Sequence, residues 1–121
     1  MMRRVIVAGS RTFNDYNQLS EVLDKIIAED EYIEFVSGGA RGADSLCEQY
    51  AKEHGFKISI FPAEWDTYGR SAGMRRNADM AKYAAECNGM LIAFWDGQSR
   101  GTKGMIDLAY KYNIEVDIIT Y

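Results

Sequence analysis

Four stretches hold most of the residues able to do chemistry. They are Gly9-Ser10-Arg11-Thr12-Phe13, Ser37-Gly38-Gly39-Ala40-Arg41-Gly42-Ala43-Asp44, the run from Pro62 to Gly73, and Asp96-Gly97-Gln98-Ser99-Arg100-Gly101-Thr102-Lys103-Gly104. Glycine lets backbone N–H groups approach a ligand closely, and a helix start adds unsatisfied donors and the positive end of a dipole. Arg41 adds a fixed charge with forked donors. The chemistry this favours is the holding of an anion. Ser37, Ser99 and Thr102 have no histidine partner except the poorly placed His54, so they read as hydrogen-bonding groups for phosphate or ribose, not nucleophiles. Asp44 can hold a sugar hydroxyl or cap the helix that follows it, with capping slightly favoured. Asp96 can bind ribose or a cation, but a lone carboxylate makes no metal site. Trp65 and Tyr68 either stack on a base or plug the sheet edge. Neither G-x-x-x-x-G-K-[ST] nor G-x-G-x-x-G is present, which argues against an ordinary NTPase or a nicotinamide dehydrogenase.

These stretches need a scaffold that brings them together. Apolar, β-branched runs are expected as strands at Arg4 to Ala8, Ile33 to Ser37, Lys57 to Phe61, Gly89 to Trp95 and Glu115 to Thr120. Between them, Leu19, Val22, Leu23, Ile26 and Ile27 recur at helical spacing, with Glu29-Asp30-Glu31 closing that helix. Further helices are expected from near Ser45 to Gly55, from Met74 to Glu86 and from Met105 to Tyr112. The order βαβαβαβαβ implies an α/β fold with a mostly parallel five-stranded sheet, covered by helices on both faces in three layers. Gly89 to Trp95, the most apolar strand, is expected at its centre. Right-handed crossovers put every strand-to-helix loop at the carboxyl edge, where the four stretches can share one pocket.

With 121 residues, 47% hydrophobic and 26% charged, the chain suits one domain over residues 1–121. Its net charge of -4 argues against a general nucleic-acid binder. Yet Arg11, Arg41, Arg70, Arg75, Arg76 and Arg100 all lie in or beside Gly/Ser-rich stretches, so a local basic pocket is compatible with the acidic whole. Cys47 and Cys87 are expected in helices as free thiols, since no C-x-x-C suggests zinc or redox chemistry. His54, beside Gly55, reads as a helix-end residue. No 18-residue apolar run occurs, and Met1-Met2-Arg3-Arg4-Val5 runs directly into a strand, so the expectation is a cytoplasmic protein without a membrane partner.

Several segments together resemble the YspA-like, YpsA-related branch of the SLOG superfamily. They are Val7 to Phe13, Ser37 to Asp44, Phe61 to Trp65 with Tyr68-Gly69, Ala72-Gly73 with Arg76, Asn77 and Met80, and Ile92 to Gly97 with Ser99, Gly101 and Thr102. The resemblance implies a Rossmann-like fold that binds a nucleotide or nucleotide-derived ligand, such as an ADP-ribose or NAD derivative, at the loop edge. The superfamily also includes the DNA-processing protein A domain and the LOG phosphoribohydrolases. It implies ligand-binding roles for Gly9, Ser10, Arg11, Ser37, Gly38, Gly39, Arg41, Gly42, Asp44, Trp65, Tyr68, Arg76, Asn77, Asp96, Gly97, Ser99, Gly101 and Thr102. The LOG hydrolases also carry Gly-Gly-x-Gly-Thr-x-x-Glu. Here Gly101-Thr102 leads to Met105 where their catalytic glutamate falls, and methionine is no base. Asp107 is two residues later, on another helical face.

The expectation is therefore a sensor or sequestering protein with no required cofactor. An alternative is a phosphoribohydrolase-type enzyme using Asp44, Arg76 or Asp96, and a further one is a single-stranded DNA binder. A homodimer is expected, with Tyr83, Tyr110 and Tyr112 as candidate exposed aromatic surface.

Overall fold

A computed structural model describes residues 2–29 and 32–121. Five strands, β1 (Met2–Gly9), β2 (Tyr32–Ser37), β3 (Lys57–Ile60), β4 (Met90–Trp95) and β5 (Glu115–Thr120), form one sheet in the order β3-β2-β1-β4-β5. Every neighbouring pair is parallel, so the sheet is wholly and not mostly so. β1 takes the middle place and β4 lies beside it, which corrects the expectation that the most apolar strand is central. Apolarity marks a strand covered on both faces, and both β1 and β4 meet that condition.

The helices are α1 (Tyr16–Glu29), α2 (Ala43–His54), the one-turn α3 (Trp65–Tyr68), α4 (Ala72–Ala85) and α5 (Arg100–Lys111), with a 3-10 turn at Gly69–Ser71 before α4. Alternate strand residues feed two cores. Val5, Val7, Phe35 and Ile92 pack under Leu19, Leu23, Cys47 and Tyr50 of α1 and α2. Ile6, Ala8, Val36 and Leu91 pack under Met80, Ala84, Met105 and Ala109 of α4 and α5. This is a three-layer, Rossmann-like sandwich. Because β1, β2 and β3 run to one side and β4 to the other, a crevice opens between β1 and β4 at their carboxyl ends. Open α/β sheets bind ligands at such a reversal.

Local signals explain the boundaries. Asp15 accepts a hydrogen bond from the Gln18 N–H (3.0 Å) and starts α1 one turn earlier than its first apolar residue. Gly55 closes α2 in the left-handed conformation, with its N–H on the Ala51 carbonyl. His54 accompanies that end, its Nδ1 2.9 Å from the Tyr50 carbonyl and its ring stacked on Tyr50. The loop expected from Pro62 to Gly73 holds α3, the 3-10 turn and the first turn of α4. Ala72 is buried there, so the helix begins two residues before Met74. Cys87 falls just beyond α4, not within a helix, whereas Cys47 is buried in α2. The acidic cluster expected to close α1 extends to Asp30 and Glu31, which lie outside the described residues, as does Met1. Among the described residues, no helix is long and apolar enough to cross a membrane.

Sequence patterning gave no warning of Glu34, a carboxylate buried in the interior strand β2. It is paired in register with Arg4 on one side and Lys57 on the other. Ser59 and Tyr83 donate to its Oε2, and the Arg4 Nε lies 3.4 Å from its Oε1. Burial pushes the Glu34 carboxyl up, but the hydrogen bonds from Ser59 and Tyr83 and the charges of Lys57 and Arg4 outweigh it, leaving the pKa below its ordinary 4.5. A folded-state pKa below the unfolded one contributes stability that is present above the unfolded value and lost as pH falls through the folded one. Thermal melts between about pH 5 and pH 3 should therefore show wild type losing stability with acid more steeply than Glu34→Gln. Parallel curves would remove Glu34 from the account.

Candidate functional site

The cradle is built by three loops that lock together through glycine. At Gly9, the last residue of β1, a Cβ would lie 2.6 Å from the Phe94 carbonyl oxygen and 2.7 Å from Ala43 Cβ. Gly42, at the N-cap of α2, has φ +81°, and a Cβ there would lie 2.3 Å from the Ser10 carbonyl oxygen. The end of β1 is thus pressed against both β4 and the start of α2. From the other side of the sheet, Arg76 of α4 reaches over β2. It donates through Nη1 to the Gly38 carbonyl and through Nε to Asn77 Oδ1 (2.9 Å). Asn77 in turn donates to the Gly101 carbonyl (3.3 Å), tying α4 to the first turn of α5.

Over this frame lies a cavity of about 290 Å³. Of the residues expected to bind ligand, Gly9, Arg11, Asp44, Trp65, Arg76, Asn77, Ser99, Gly101 and Thr102 line it. They come from the end of β1 and the loop after it, from α2, α3 and α4, and from the N-cap and first turn of α5, at the crevice between β1 and β4. The cavity has four arginines, Arg11, Arg70, Arg76 and Arg100, and one carboxylate, Asp44. A chain of net charge -4 thus concentrates positive charge at one concave place.

The chain matches the YspA, cpYpsA-related SLOG family over residues 3–68, more than half of its length. It belongs to that family. It is 33% identical over 121 residues to the Gene 61 protein of Mycobacterium phage D29, covering 95% of this chain and 94% of that protein. It also resembles the X-ray structure of DNA processing protein A (DprA) from Streptococcus pneumoniae, with a TM-score of 0.65 and 20% identity over 97% of this chain. That likeness concerns the fold, and this chain spans only 50% of the DprA chain. Membership of a SLOG family points to binding or processing of a nucleotide-related ligand.

The other expected residues of this SLOG chain do not line the cavity. Ser10 is buried, and its Oγ lies 3.4 Å from the Asp96 N–H. Ser37 is buried too, donating to Glu48 Oε2 (2.8 Å) and accepting from the Gly39 N–H (3.1 Å). Gly38 and Gly42 shape the cradle from behind. Gly39 and Arg41 are exposed outside the cavity. Asp96 accepts from the Gln98 and Ser99 N–H groups, both at 2.8 Å, which holds its carboxyl below the ordinary value. It shapes the turn containing Gly97, and neither residue reaches the cavity. Tyr68 faces a different hollow. Conversely, Arg70, Arg100, Ala40, Gly73, Met74 and Met80 line the cavity without having been assigned to it. The clustering of arginines near glycine was the available signal for Arg70 and Arg100. Met80 was among the residues that carry the family resemblance, and for Met74 there was no signal beyond its place on α4.

Ser99 caps α5 by accepting from the Thr102 N–H, and its Oγ lies 3.2 Å from Thr102 Oγ1. Met105, at the position of the LOG glutamate, is buried and lines the cavity. Asp107 is exposed and pairs with Lys103 at 3.0 Å. Among the described residues, no group of three or more His, Cys, Asp or Glu side chains is arranged to hold a metal.

Asp44 does not cap α2, contrary to expectation. Gly42 occupies the N-cap with no side-chain bond, and the Asp44 carboxylate instead accepts from the Ala40 N–H at 3.2 Å. Asp44 lies inside the first helical turn, pointing back into the loop. Burial pushes its pKa up from 3.8 to about 6, against the pull of the Ala40 N–H and the Arg76 charge. The folded state then holds this proton more tightly than the unfolded one. Stability is greatest below the unfolded value and falls as pH rises from about 4 to about 6. The full loss is on the order of 3 kcal/mol. Asp44→Asn should flatten this slope and melt higher than wild type at pH 7.5. Equal melting temperatures at pH 7.5 would show that the carboxylate costs the fold nothing there.

Proposed function

We propose that the protein binds a nucleotide-derived anion in the cavity between β1 and β4, as a sensor or sequestering protein. The observation that carries this reading is the set of four arginines around one concave site at the strand-order reversal. Arg76 is set by hydrogen bonds to the backbone of one loop and to its neighbour Asn77, so it meets a phosphate with little ordering cost. The start of α5 adds its dipole and the N–H groups of Arg100 and Gly101, beside the Thr102 N–H that Ser99 caps. Trp65, half-exposed at the rim, offers a flat apolar face to a base. The ligand classes this supports are AMP-like, ADP-ribose-like and NAD-like compounds. Calorimetry against that panel, with mass spectrometry of small molecules carried through purification, tests it. No heat with any compound and no co-purifying nucleotide would reject the reading.

A second reading rests on Asp44. A carboxyl whose pKa lies near 6, beside an arginine in a ligand cavity, suits a general acid better than an ordinary aspartate does. It favours hydrolysis of an N-glycosidic bond in a site where Met105 supplies no base. Chromatography of nucleotides after prolonged incubation decides between the two. Free base appearing with wild type but not with Asp44→Asn supports turnover, and intact nucleotides throughout leave binding alone.

A further inference from the structure

A second hollow, of about 230 Å³, lies beside the first. It is bounded by Ile60, Phe61 and Pro62 at the end of β3, by Tyr68 of α3, and by Arg75 and Asp79 of α4. Arg76 lines both hollows. The short helix α3 is divided between them: Trp65 lines the first and Tyr68, three residues on, lines the second. Both aromatic side chains are exposed to solvent, at 50% and 44%.

The charge character of the hollows differs. The first has an excess of arginine. The second balances Arg75 and Arg76 against Glu64 and Asp79, around an apolar floor. A surplus of cations suits phosphate. A balanced, partly apolar hollow suits an uncharged ring with hydroxyl groups, because the ring can stack while carboxylates accept from hydroxyls. The platform in the second hollow is already set. The Arg75 guanidinium lies 4.4 Å from the centre of the Tyr68 ring. Ser71 Oγ donates to the Tyr68 carbonyl (3.0 Å) and accepts from Arg75 Nε (3.0 Å).

We infer that the ligand is a two-part molecule. Its phosphates and one nucleoside occupy the arginine-rich cavity, and a second ring-bearing, uncharged group passes Arg76 into the hollow at Tyr68. This rests on the binding reading above and narrows it from nucleotides in general to two nucleoside-like groups joined through phosphate. Occupying both hollows makes the second contact intramolecular, so the joined ligand should bind more tightly than its half.

The test compares AMP with NADH and diadenosine diphosphate by calorimetry, on wild type, Tyr68→Ala and Asp79→Ala. Both substitutions lie at exposed positions. The expected result is at least tenfold tighter binding of a two-part compound than of AMP to wild type. Tyr68→Ala should remove about tenfold of that advantage, in keeping with the loss of one stacked ring, while AMP binds within about twofold of wild type. Asp79→Ala should act in the same direction more weakly. Equal affinity for AMP and both two-part compounds, or an equal loss for all three in Tyr68→Ala, would overturn the inference and leave the binding reading intact. No binding of any compound to wild type would overturn both.

Discussion

Arg76→Met is expected to weaken binding of a phosphate-bearing nucleotide about a hundredfold, or roughly 2.7 kcal/mol. Charge-assisted hydrogen bonds are worth about 1.5–3 kcal/mol when both partners are desolvated, and Arg76 is partly buried and lines both hollows. A second effect partly offsets the first, because a carboxyl that stays protonated repels a phosphate less. The Arg76 charge opposes the rise in the Asp44 pKa, so its removal pushes that carboxyl higher still. Burial in turn lowers the Arg76 pKa, Asp44 raises it, and Arg11 lowers it, so the guanidinium sits between an attractive and a repulsive neighbour. An anionic ligand relieves the repulsion from Arg11. Titration by calorimetry, with circular dichroism to establish that the variant is folded, measures the effect. A folded Arg76→Met that binds within threefold of wild type would remove Arg76 from the site.

The largest effect on stability is expected at Gly42. An alanine there places its Cβ 2.3 Å from the Ser10 carbonyl oxygen and 2.9 Å from two backbone atoms of Arg11, in a residue with φ +81°. Nothing nearby is the flexible tip of a side chain, so either the β1 loop or the start of α2 must move. A loss of at least about 3 kcal/mol follows from strain and clash together. In a chain of this size that lowers the melting temperature by about 10 °C. Gly97→Ala is the matched control, because φ is +80° there but nothing lies within 4 Å of the added carbon. It should cost only the backbone strain, about 1–2 kcal/mol. Similar melting temperatures for the two variants would show that the contact between the loops is not as close as described. A Gly42→Ala protein that melts like wild type would refute the locking role outright.

The sheet was legible because its strands are short apolar runs separated by helical periodicity, and parallel order follows from alternation. Strand order was not legible. The position of β4 beside a central β1 depends on which way the chain turns after β3, and no local residue records that choice. Glu34 escaped notice because a charged residue inside an apolar run looks the same whether it is exposed at an edge or buried among Ser59, Tyr83, Arg4 and Lys57. In the site, glycine and arginine at strand ends marked loops that line the cavity. The serines and aspartates were a weaker guide to the cavity lining. Ser37, Ser10 and Asp96 have the composition of ligand contacts but are consumed by the loops themselves, and hydrogen-bonding residues that build a turn cannot be told by type from those that serve a ligand. Separating Trp65 from Tyr68 needed the helical turn between them, which a reading of that segment as a loop did not contain.

The segment from Trp65 to Ser71 contributes no buried residue to either core, yet it supplies Trp65 and Arg70 to one hollow and Tyr68 to the other. The two cores and this part of the lining of the hollows are therefore carried by separate parts of the chain. These seven residues are therefore expected to be exchangeable as a cassette, with the sheet, both cores and Arg76 left in place. On the proposed reading, transplanting this span from a relative is expected to transfer preference for the outer parts of a ligand while leaving Arg76 to meet its phosphates.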